Sequence, residues 1–192
     1  MATRLVTKKS EVMNSALFLF MRNGINATTT RDIALKAGVS EGTIYRHFQS
    51  KEHLAESVFE SSLHLFWNFL RKYLKNCQNA EAMLAAFVEG IFEFSQRYQK
   101  RYRFIIAAHQ TELRKQSRER LKPKNMLEKI IRLGQSQQLF REIDPKLASA
   151  MVLGIIVQTI FYQKSGSIPV KHDQVVAEVA ASCLQIVKAT SS

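Results

Sequence analysis

The sequence predicts an all-α protein with two parts, a three-helix N-terminal domain that contains a helix-turn-helix and a C-terminal helical bundle. Apolar residues recur at helical spacing along most of the 192 residues, and helix start and stop signals separate these segments. No alternation of apolar and polar residues is long enough to indicate a strand. The helices are short before Ser50 and longer afterwards, which predicts domains at residues 1–50 and 51–192.

The composition narrows the class of protein further. The chain has 28 Lys and Arg against 16 Asp and Glu, a formal net charge of +12, with 46% hydrophobic residues, three Pro and two Cys. These values exclude disordered, collagen-like and disulfide-rich secreted chains. The positive charge favours nucleic acid or another anionic partner. No signal peptide is readable, so we expect a cytoplasmic protein with reduced thiols and no membrane partner.

The first helix is predicted from about Ser10 to Arg22, because apolar residues there fall on one face. Gly24 ends this helix as a left-handed cap residue. Lys8 and Lys9, which precede it, are expected to form a flexible basic arm. The apolar positions are Val12, Met13, Ala16, Leu19 and Phe20.

Two short helices follow, and the turn between them contains Gly38. Thr29 and Asp32 form a capping pair at the start of the second helix, and Ser40 caps the third helix at residues 41–48. Two short helices joined in this way behind a longer one are typical of a helix-turn-helix. The expected core residues are Ile33, Ala34, Val39, Ile44 and Phe48.

The remaining chain is predicted to be helical at residues 51–75, 79–98, 100–109, 121–137, 145–164 and 172–188. Asp144 followed by Pro145 is the strongest of the start signals, with an acidic N-cap and proline in the first turn. The apolar run at 147–162 is shorter than the roughly 18 residues that span a bilayer. We therefore expect a buried helix there.

Residues 28–54 read TTTRDIALKAGVSEGTIYRHFQSKEHL and closely resemble the DNA-binding signature of the tetracycline-repressor (TetR) family. The resemblance covers about residues 10–55. Beyond them only the length, the helical pattern and the late Asp-Pro-capped helix agree. The resemblance implies a homodimeric transcription factor, usually a repressor, that binds a near-palindromic double-stranded DNA operator. It also implies release by a small-molecule effector bound in the C-terminal bundle.

Under this resemblance the third helix would enter the major groove with its N-terminal end. Arg46 matches guanine O6 and N7, and Tyr45 offers a hydroxyl to a phosphate and a ring to a thymine methyl group. His47 and Lys51 are expected to contact phosphates, while Gly42 lets the backbone come close. The candidate DNA-binding residues are Thr29, Thr30, Arg31, Ser40, Glu41, Gly42, Thr43, Tyr45, Arg46, His47 and Lys51.

The sequence leaves two possible roles for the carboxylate of Glu41. An acid near phosphates is favourable if it accepts a hydrogen bond from a cytosine N4 amine. It is also favourable if it only stabilises the positive end of its own helix.

Aromatic residues of the C-terminal part either line a largely apolar cavity for an effector or fill the core. Between residues 97 and 132, twelve basic residues stand against three acidic ones, which indicates an anionic effector, a further nucleic-acid contact or a solvated face. The candidate ligand-binding residues, with His109 and Gln158 as polar anchors, are Trp67, Phe87, Phe94, Phe104, His109, Gln158 and Tyr162.

The helix at 145–164 is apolar on nearly all sides, and together with the last helix it predicts a four-helix homodimer seam. Gly154 would allow two helices to approach closely. The candidate dimer-interface residues are Ala148, Val152, Ile155, Ile156, Thr159, Val176, Val179, Ala180 and Cys183.

The five His and two Cys show no metal-ligand spacing, and neither a nucleophile motif nor a phosphate-binding loop is present. We therefore expect no enzyme, no cofactor and no metal. One alternative remains, a DNA-binding adaptor or nucleoid-type protein of the same fold that takes no effector and binds a protein partner through its C-terminal surface. It would fill its bundle with aromatic side chains, whereas an effector-binding protein would enclose a cavity with them.

Overall fold

The computed structural model describes residues 2–108 and 125–188. Within these ranges the chain is helical and its only β contact is an isolated bridge between Phe140 and Lys188, which confirms the all-α prediction. The helices are α1 (Ala2–Asn23), α2 (Thr30–Ala37), α3 (Glu41–His47), α4 (Lys51–Leu74), α5 (Ala80–Arg97), α6 (Gln99–Ala108), α7 (Asn125–Ser136), α8 (Pro145–Lys164) and α9 (His172–Val187).

The chain divides into two compact units. The first comprises Met1–Phe66 with Tyr98–Leu121, and the second comprises Trp67–Arg97 with Lys122–Ser192. This division falls inside α4 and assigns α6 to the first unit. The domain boundary that the sequence places at residue 50 therefore stays a prediction.

In the first unit, α1 packs against α2, α3 and α6. Its buried residues follow helical spacing, and Phe20 stacks on Phe104 of α6 with the ring centroids 6.2 Å apart. Leu17 is buried, whereas Met13 and Leu19, which were predicted on this face, are half-buried. The buried residues of α1 are Val12, Ala16, Leu17 and Phe20.

The N-terminus of α1 departs from the prediction. The helix begins at Ala2, so Lys8 and Lys9 are helical and the expected flexible arm is wrong for them. Residues 2–9 contain neither Gly nor Pro, and the helix therefore meets no residue that would stop it. The Lys9 ammonium lies 5.5 Å from the centroid of the Phe48 ring, in the range of a cation–π contact.

Polar and charged groups join α6 to the other helices of the first unit. The half-buried guanidinium of Arg101 donates to Ser62 Oγ at 3.2 Å and to Asn14 Oδ1 at 3.5 Å. Burial lowers the pKa of Arg101. The ammonium of Lys100 lies 4.9 Å from the ring centroid of Phe18. These contacts connect α6 with both α1 and α4 in addition to the apolar packing.

In the second unit, α5 packs against α7, α8 and α9, and α8 packs against α7 and α9. This arrangement buries a core of large side chains, which includes the pocket candidates Phe87 and Phe94 and the dimer-interface candidate Ile156. The largest fully buried residues of this unit are Leu70, Leu84, Phe87, Phe92, Phe94, Ile130, Ile131 and Ile156.

The predicted caps are confirmed where the signals are local. Thr29 Oγ1 accepts from the amide of Asp32, and Asp32 Oδ2 accepts from the amide of Thr29, so the pair forms a capping box. Asp144 Oδ1 accepts from the amides of Lys146 and Leu147, both at 2.9 Å. Gly38 ends α2 with φ +64°, a conformation that favours glycine.

The segment after α7 packs closely onto that helix. The ring of Phe140 lies where a Cβ atom on Gly134 would be, so only glycine fits at this position without a shift of the ring. Arg141 then donates its amide to the carbonyl of Val187 at 2.8 Å, next to the isolated bridge. No sequence signal predicted this contact between the end of α7 and the end of α9.

Candidate DNA-binding surface

The helix α3 is anchored by two apolar residues and exposes the rest of its surface. Ile44 and Phe48 are each 1% exposed, as predicted for core positions. Ser40 Oγ accepts from the amide of Thr43 at 3.3 Å and thereby caps the helix. The exposed residues of α3 recur at the spacing of one helix face and are Glu41, Gly42, Tyr45 and Arg46. Thr43 is half-buried.

The side chains of Thr30, Glu41 and Tyr45 connect the start of α2 to the exposed face of α3. Thr30 Oγ1 donates to Glu41 Oε2 at 2.9 Å. The same Thr30 oxygen lies 3.3 Å from the hydroxyl of Tyr45. Glu41 therefore has a defined partner on the neighbouring helix, which sequence reasoning did not anticipate because Thr30 is eleven residues away.

Two further predicted residues lie at the start of α2. Thr29 and Arg31 are exposed, and Thr29 also donates its hydroxyl to Asp32 Oδ2 at 2.6 Å. These hydrogen bonds from Thr29 lower the pKa of Asp32. The carboxylate thus fixes the first turn of α2 and leaves the positive charge of Arg31 at the surface.

The position of Lys51 differs from the simple phosphate contact that was predicted. Its ammonium donates to the carbonyl oxygens of Asn26 at 3.1 Å and Thr28 at 2.9 Å. These carbonyls belong to the loop between α1 and α2. Two of the three ammonium hydrogens therefore stabilise this loop, and one is left for another acceptor.

His47 is placed less favourably for DNA than predicted. Its Nε2 atom is buried and has no hydrogen-bond partner among the described residues. The ring packs edge-on against Phe48, with the centroids 6.3 Å apart. A phosphate contact by this nitrogen would need a different side-chain conformation, so the structure does not support this prediction for Nε2.

The residues predicted to bind an effector differ in their exposure. Phe87 and Phe94 are buried in the second unit. Gln158 and Tyr162 are exposed on α8, and their role in an effector pocket stays a prediction.

The other predicted effector residues have separate environments. Trp67 is half-buried in the second unit. Phe104 belongs to the first unit, where it packs against Phe20 and Phe59. His109 lies outside the described residues, as do residues 110–124 of the basic segment at 97–132. The prediction of a pocket lined by Trp67, Phe87, Phe94 and Phe104 stays a prediction.

One face of α8 is covered by its own unit and the other is exposed. Five of the residues predicted for the dimer interface are buried within their own unit and cannot lie on a surface that a second copy contacts. They are Ala148, Val152, Ile156, Val179 and Cys183. Ile155, Thr159, Val176 and Ala180 are half-buried, and for them the interface stays a prediction. For Ala148, Val152 and Ile156 the error arose because α8 is apolar on all sides, so the sequence has no periodicity to show which face is core.

The exposed face of α8 carries large apolar side chains at helical spacing. Leu147 is 55% exposed and Phe161 is 63% exposed. The full set is Leu147, Met151, Leu153, Phe161 and Tyr162. By length and composition alone this helix is also long and apolar enough to cross a membrane, and 28% of its most apolar window is buried. Within one chain this face is uncovered, and the expectation that a second copy buries it stays a prediction.

In the described ranges no group of three or more His, Cys, Asp or Glu is arranged to bind a metal ion. The two cysteines are free thiols. Cys183 is buried, and its burial raises the pKa of the thiol to about 11.

The helix-turn-helix geometry coincides with a match to a known family. The profile of bacterial regulatory proteins of the tetR family matches residues 12–58, which contain the end of α1, all of α2 and α3 and the first turns of α4. Residues 12–58 thus form a DNA-binding domain of the tetR-family type. This confirms the resemblance carried by residues 28–54.

The relatives of the chain agree with the match of this domain. The chain is 33% identical over 86 residues to the transcriptional repressor KstR2 of Rhodococcus jostii, covering 45% of the chain and 42% of the relative. It is 27% identical over 158 residues to the fatty acid metabolism regulator protein of Bacillus subtilis, covering 80% and 81%. The chain thus matches less than half the length of KstR2. Both relatives are regulators, which agrees with the prediction that the chain is not an enzyme.

A solved structure shows the same fold for nearly the whole chain. The structure of AibR in complex with isovaleryl coenzyme A and operator DNA has a TM-score of 0.75 and 20% sequence identity. The match covers 91% of this chain and 97% of AibR.

Proposed function

We propose that this protein is a transcriptional regulator of the TetR family, acting as a repressor, that binds a near-palindromic operator in the cytoplasm and is released by a small molecule. The observation that carries the proposal is the arrangement of α2 and α3 within the residues that match the family. Ile44 and Phe48 anchor α3 in the core, while Tyr45 and Arg46 remain exposed. A short helix fixed in this way presents its side chains to the major groove.

The net charge of +12 supports DNA as the partner. Positive side chains release counterions from the phosphate backbone, which gives affinity for any sequence. Arg46 supplies the guanidinium fork that discriminates guanine, and Arg31 supplies charge at the start of α2. Affinity and specificity thus come from different residues of the same surface.

The proposed effector is an acyl thioester of coenzyme A, which combines an apolar chain with an anionic group. The names of the relatives support this class, since one regulates fatty acid metabolism and AibR was solved with isovaleryl coenzyme A. Phe87, Phe92 and Phe94 are buried in the second unit, and the proposed acyl chain would bind in a cavity that opens beside them. The effector releases the operator by binding more tightly to a conformation of the protein that does not fit DNA.

The proposed oligomer is a homodimer formed through the exposed face of α8. Large apolar side chains contiguous on one helix of a soluble protein indicate an interaction surface. A two-fold symmetric dimer presents two copies of α3 to two half-sites, which explains why the operator is near-palindromic.

Binding selection with random duplex DNA tests this function. Purified protein should enrich an inverted repeat, and a fluorescent duplex of that sequence should be released by isovaleryl or long-chain acyl coenzyme A but not by free coenzyme A. A coupling of roughly 5- to 150-fold in operator affinity is expected. Enrichment of no sequence would contradict DNA recognition, whereas an enriched operator that no acyl thioester releases would contradict the effector class alone.

A further inference from the structure

We propose that Glu41 is a specificity-determining residue that selects cytosine at one position of each half-site. The inference rests on the proposed DNA-binding function and deepens it. It is carried by the hydrogen bonds among Thr30, Glu41 and Tyr45 on the exposed face of α3.

The direction of these hydrogen bonds follows from the number of available hydrogens. Thr30 has one hydroxyl hydrogen and donates it to Glu41 Oε2 at 2.9 Å, because a carboxylate only accepts. The 3.3 Å contact between Thr30 Oγ1 and Tyr45 must then use the hydrogen of the Tyr45 hydroxyl. The chain of donation runs from Tyr45 to Thr30 to Glu41.

This order leaves acceptors at the surface. Glu41 Oε1 has no hydrogen-bond partner in the part of the chain that the structure describes, although Oε2 is fixed by Thr30. The hydrogen of the Tyr45 hydroxyl is directed at Thr30, so the lone pairs of its oxygen remain available to accept a hydrogen bond. Tyr45 and Glu41 are one helical turn apart, and both are exposed.

An acceptor surface discriminates among the base edges of the major groove. Cytosine presents an N4 amine there, whereas thymine presents O4 and guanine presents O6 and N7, which are acceptors. A carboxylate is repelled by those oxygens and accepts from the amine. Adenine also has an amine, but its N7 acceptor lies beside it and would face the same carboxylate.

The arrangement also decides between the two roles of Glu41 that the sequence left open. A carboxylate needed only for the positive end of α3 would not require a partner on α2. Thr30 holds Oε2, restricts the rotamers of Glu41 and leaves Oε1 oriented before DNA binds. Fixing a side chain in advance reduces the entropy that binding would otherwise cost.

Operator selection with variants tests the proposal. The wild-type protein, Glu41→Gln, Glu41→Ala and Thr30→Val are each incubated with the same random duplex library, and the enriched sequences are compared position by position. Glu11→Gln serves as the control, because it removes one exposed negative charge from α1 of the same unit and leaves the sequence of α3 unchanged. Circular dichroism confirms that each variant is folded.

The wild-type protein should select cytosine at one position of each half-site, with about tenfold or greater preference over thymine. Glu41→Gln should shift that position towards adenine, which a Gln side chain pairs through N6 and N7. Glu41→Ala should remove the preference there and keep the others, and Thr30→Val should weaken it. Glu11→Gln should leave the selected sequence unchanged.

Two outcomes would overturn the proposal, and they are distinguishable. If the Glu41 variants select the wild-type operator with only a uniform change in affinity, Glu41 does not read a base, and the proposed function is unaffected. If the wild-type protein selects no sequence at all, the proposed function fails and this inference fails with it.

Discussion

The ammonium of Lys51 donates a hydrogen bond of 2.9 Å to the carbonyl oxygen of Thr28, and a second one to Asn26. The first turn of α4 is thereby tied to the loop that precedes α2. Replacing Lys51 with Met keeps most of the side-chain stem and removes both hydrogen bonds. We expect a loss of about 1–3 kcal/mol in the free energy of unfolding, since the donor is charged and half-buried. Denaturant titration measures this loss.

Lys75, which is exposed near the end of α4, provides the control for Lys51. The Lys75→Met variant should have the same denaturant midpoint of unfolding as the wild-type protein. An unchanged midpoint for Lys51→Met as well would show that these two hydrogen bonds contribute nothing to stability.

Arg46 is expected to act on specificity rather than on general affinity. Its guanidinium is exposed on α3 and matches the acceptor pair of guanine. Arg46→Ala should cost ~1–3 kcal/mol on the selected operator and relax the preference at one position. Binding to random DNA should change much less. Fluorescence anisotropy with both duplexes measures the two losses, and equal losses on both would refute this role.

The exposed face of α8 is expected to be the dimer surface. A glutamate at Phe161, which is 63% exposed, would place a charge in an apolar interface and should convert the dimer to a monomer at micromolar concentration. Sedimentation velocity measures the change. Gln185→Glu adds the same charge on an exposed part of α9 and should leave the dimer intact. A wild-type monomer would contradict the proposal directly.

Gly134 is expected to be required for packing of the segment after α7. A methyl group at this position would meet the ring of Phe140, so Gly134→Ala should destabilise the protein by about 1–3 kcal/mol through overpacking. Thermal unfolding measures the loss. Gly42→Ala is the matched control, because a Cβ atom at Gly42 would meet only Ser40 Oγ at an ordinary contact distance of 3.8 Å and the helix tolerates alanine. Equal stability of the two variants would contradict this account.

The two cysteines are expected to differ in reactivity. The pKa of Cys183 is raised from 9.0 to about 11 by burial, whereas Cys77 is half-buried. An alkylating reagent at pH 8 should modify only Cys77 rapidly in the folded protein, and both Cys77 and Cys183 after unfolding. Rapid modification of both thiols in the folded protein, measured by mass spectrometry, would contradict the burial of Cys183.

The raised pKa also sets a direction for stability with pH. Because the folded protein favours the neutral thiol, the contribution of Cys183 is complete below the unfolded pKa of 9.0 and is lost as the pH rises towards about 11. The free energy of unfolding should therefore fall over this range, and less so in Cys183→Ala. An identical fall in both proteins would assign the effect to other groups.

Local signals were predictable from the sequence and distant partners were not. The caps at Thr29 and Asp144 were predicted because their acceptors and donors lie within three residues. The contact of Lys51 with Thr28 was missed, since the two residues are 23 positions apart and no pattern relates them. The same limit concealed the partner of Glu41.

The exposed face of α8 could not be predicted for a different reason. The apolar residues of α8 occur on all sides of the helix, so no apolar stripe distinguishes its core side from its outer side. Packing against α5, α7 and α9 makes that choice. Val152 is buried by it, whereas Leu153 beside it is 39% exposed.

The central claim is that α3 reads a specific DNA sequence. The most direct test is the ratio of two dissociation constants at physiological salt, one for the selected operator and one for a scrambled duplex of the same length. We expect tighter binding to the operator by about a thousandfold or more. Equal affinity for both duplexes would mean that the positive charge alone binds DNA, and would contradict the claim.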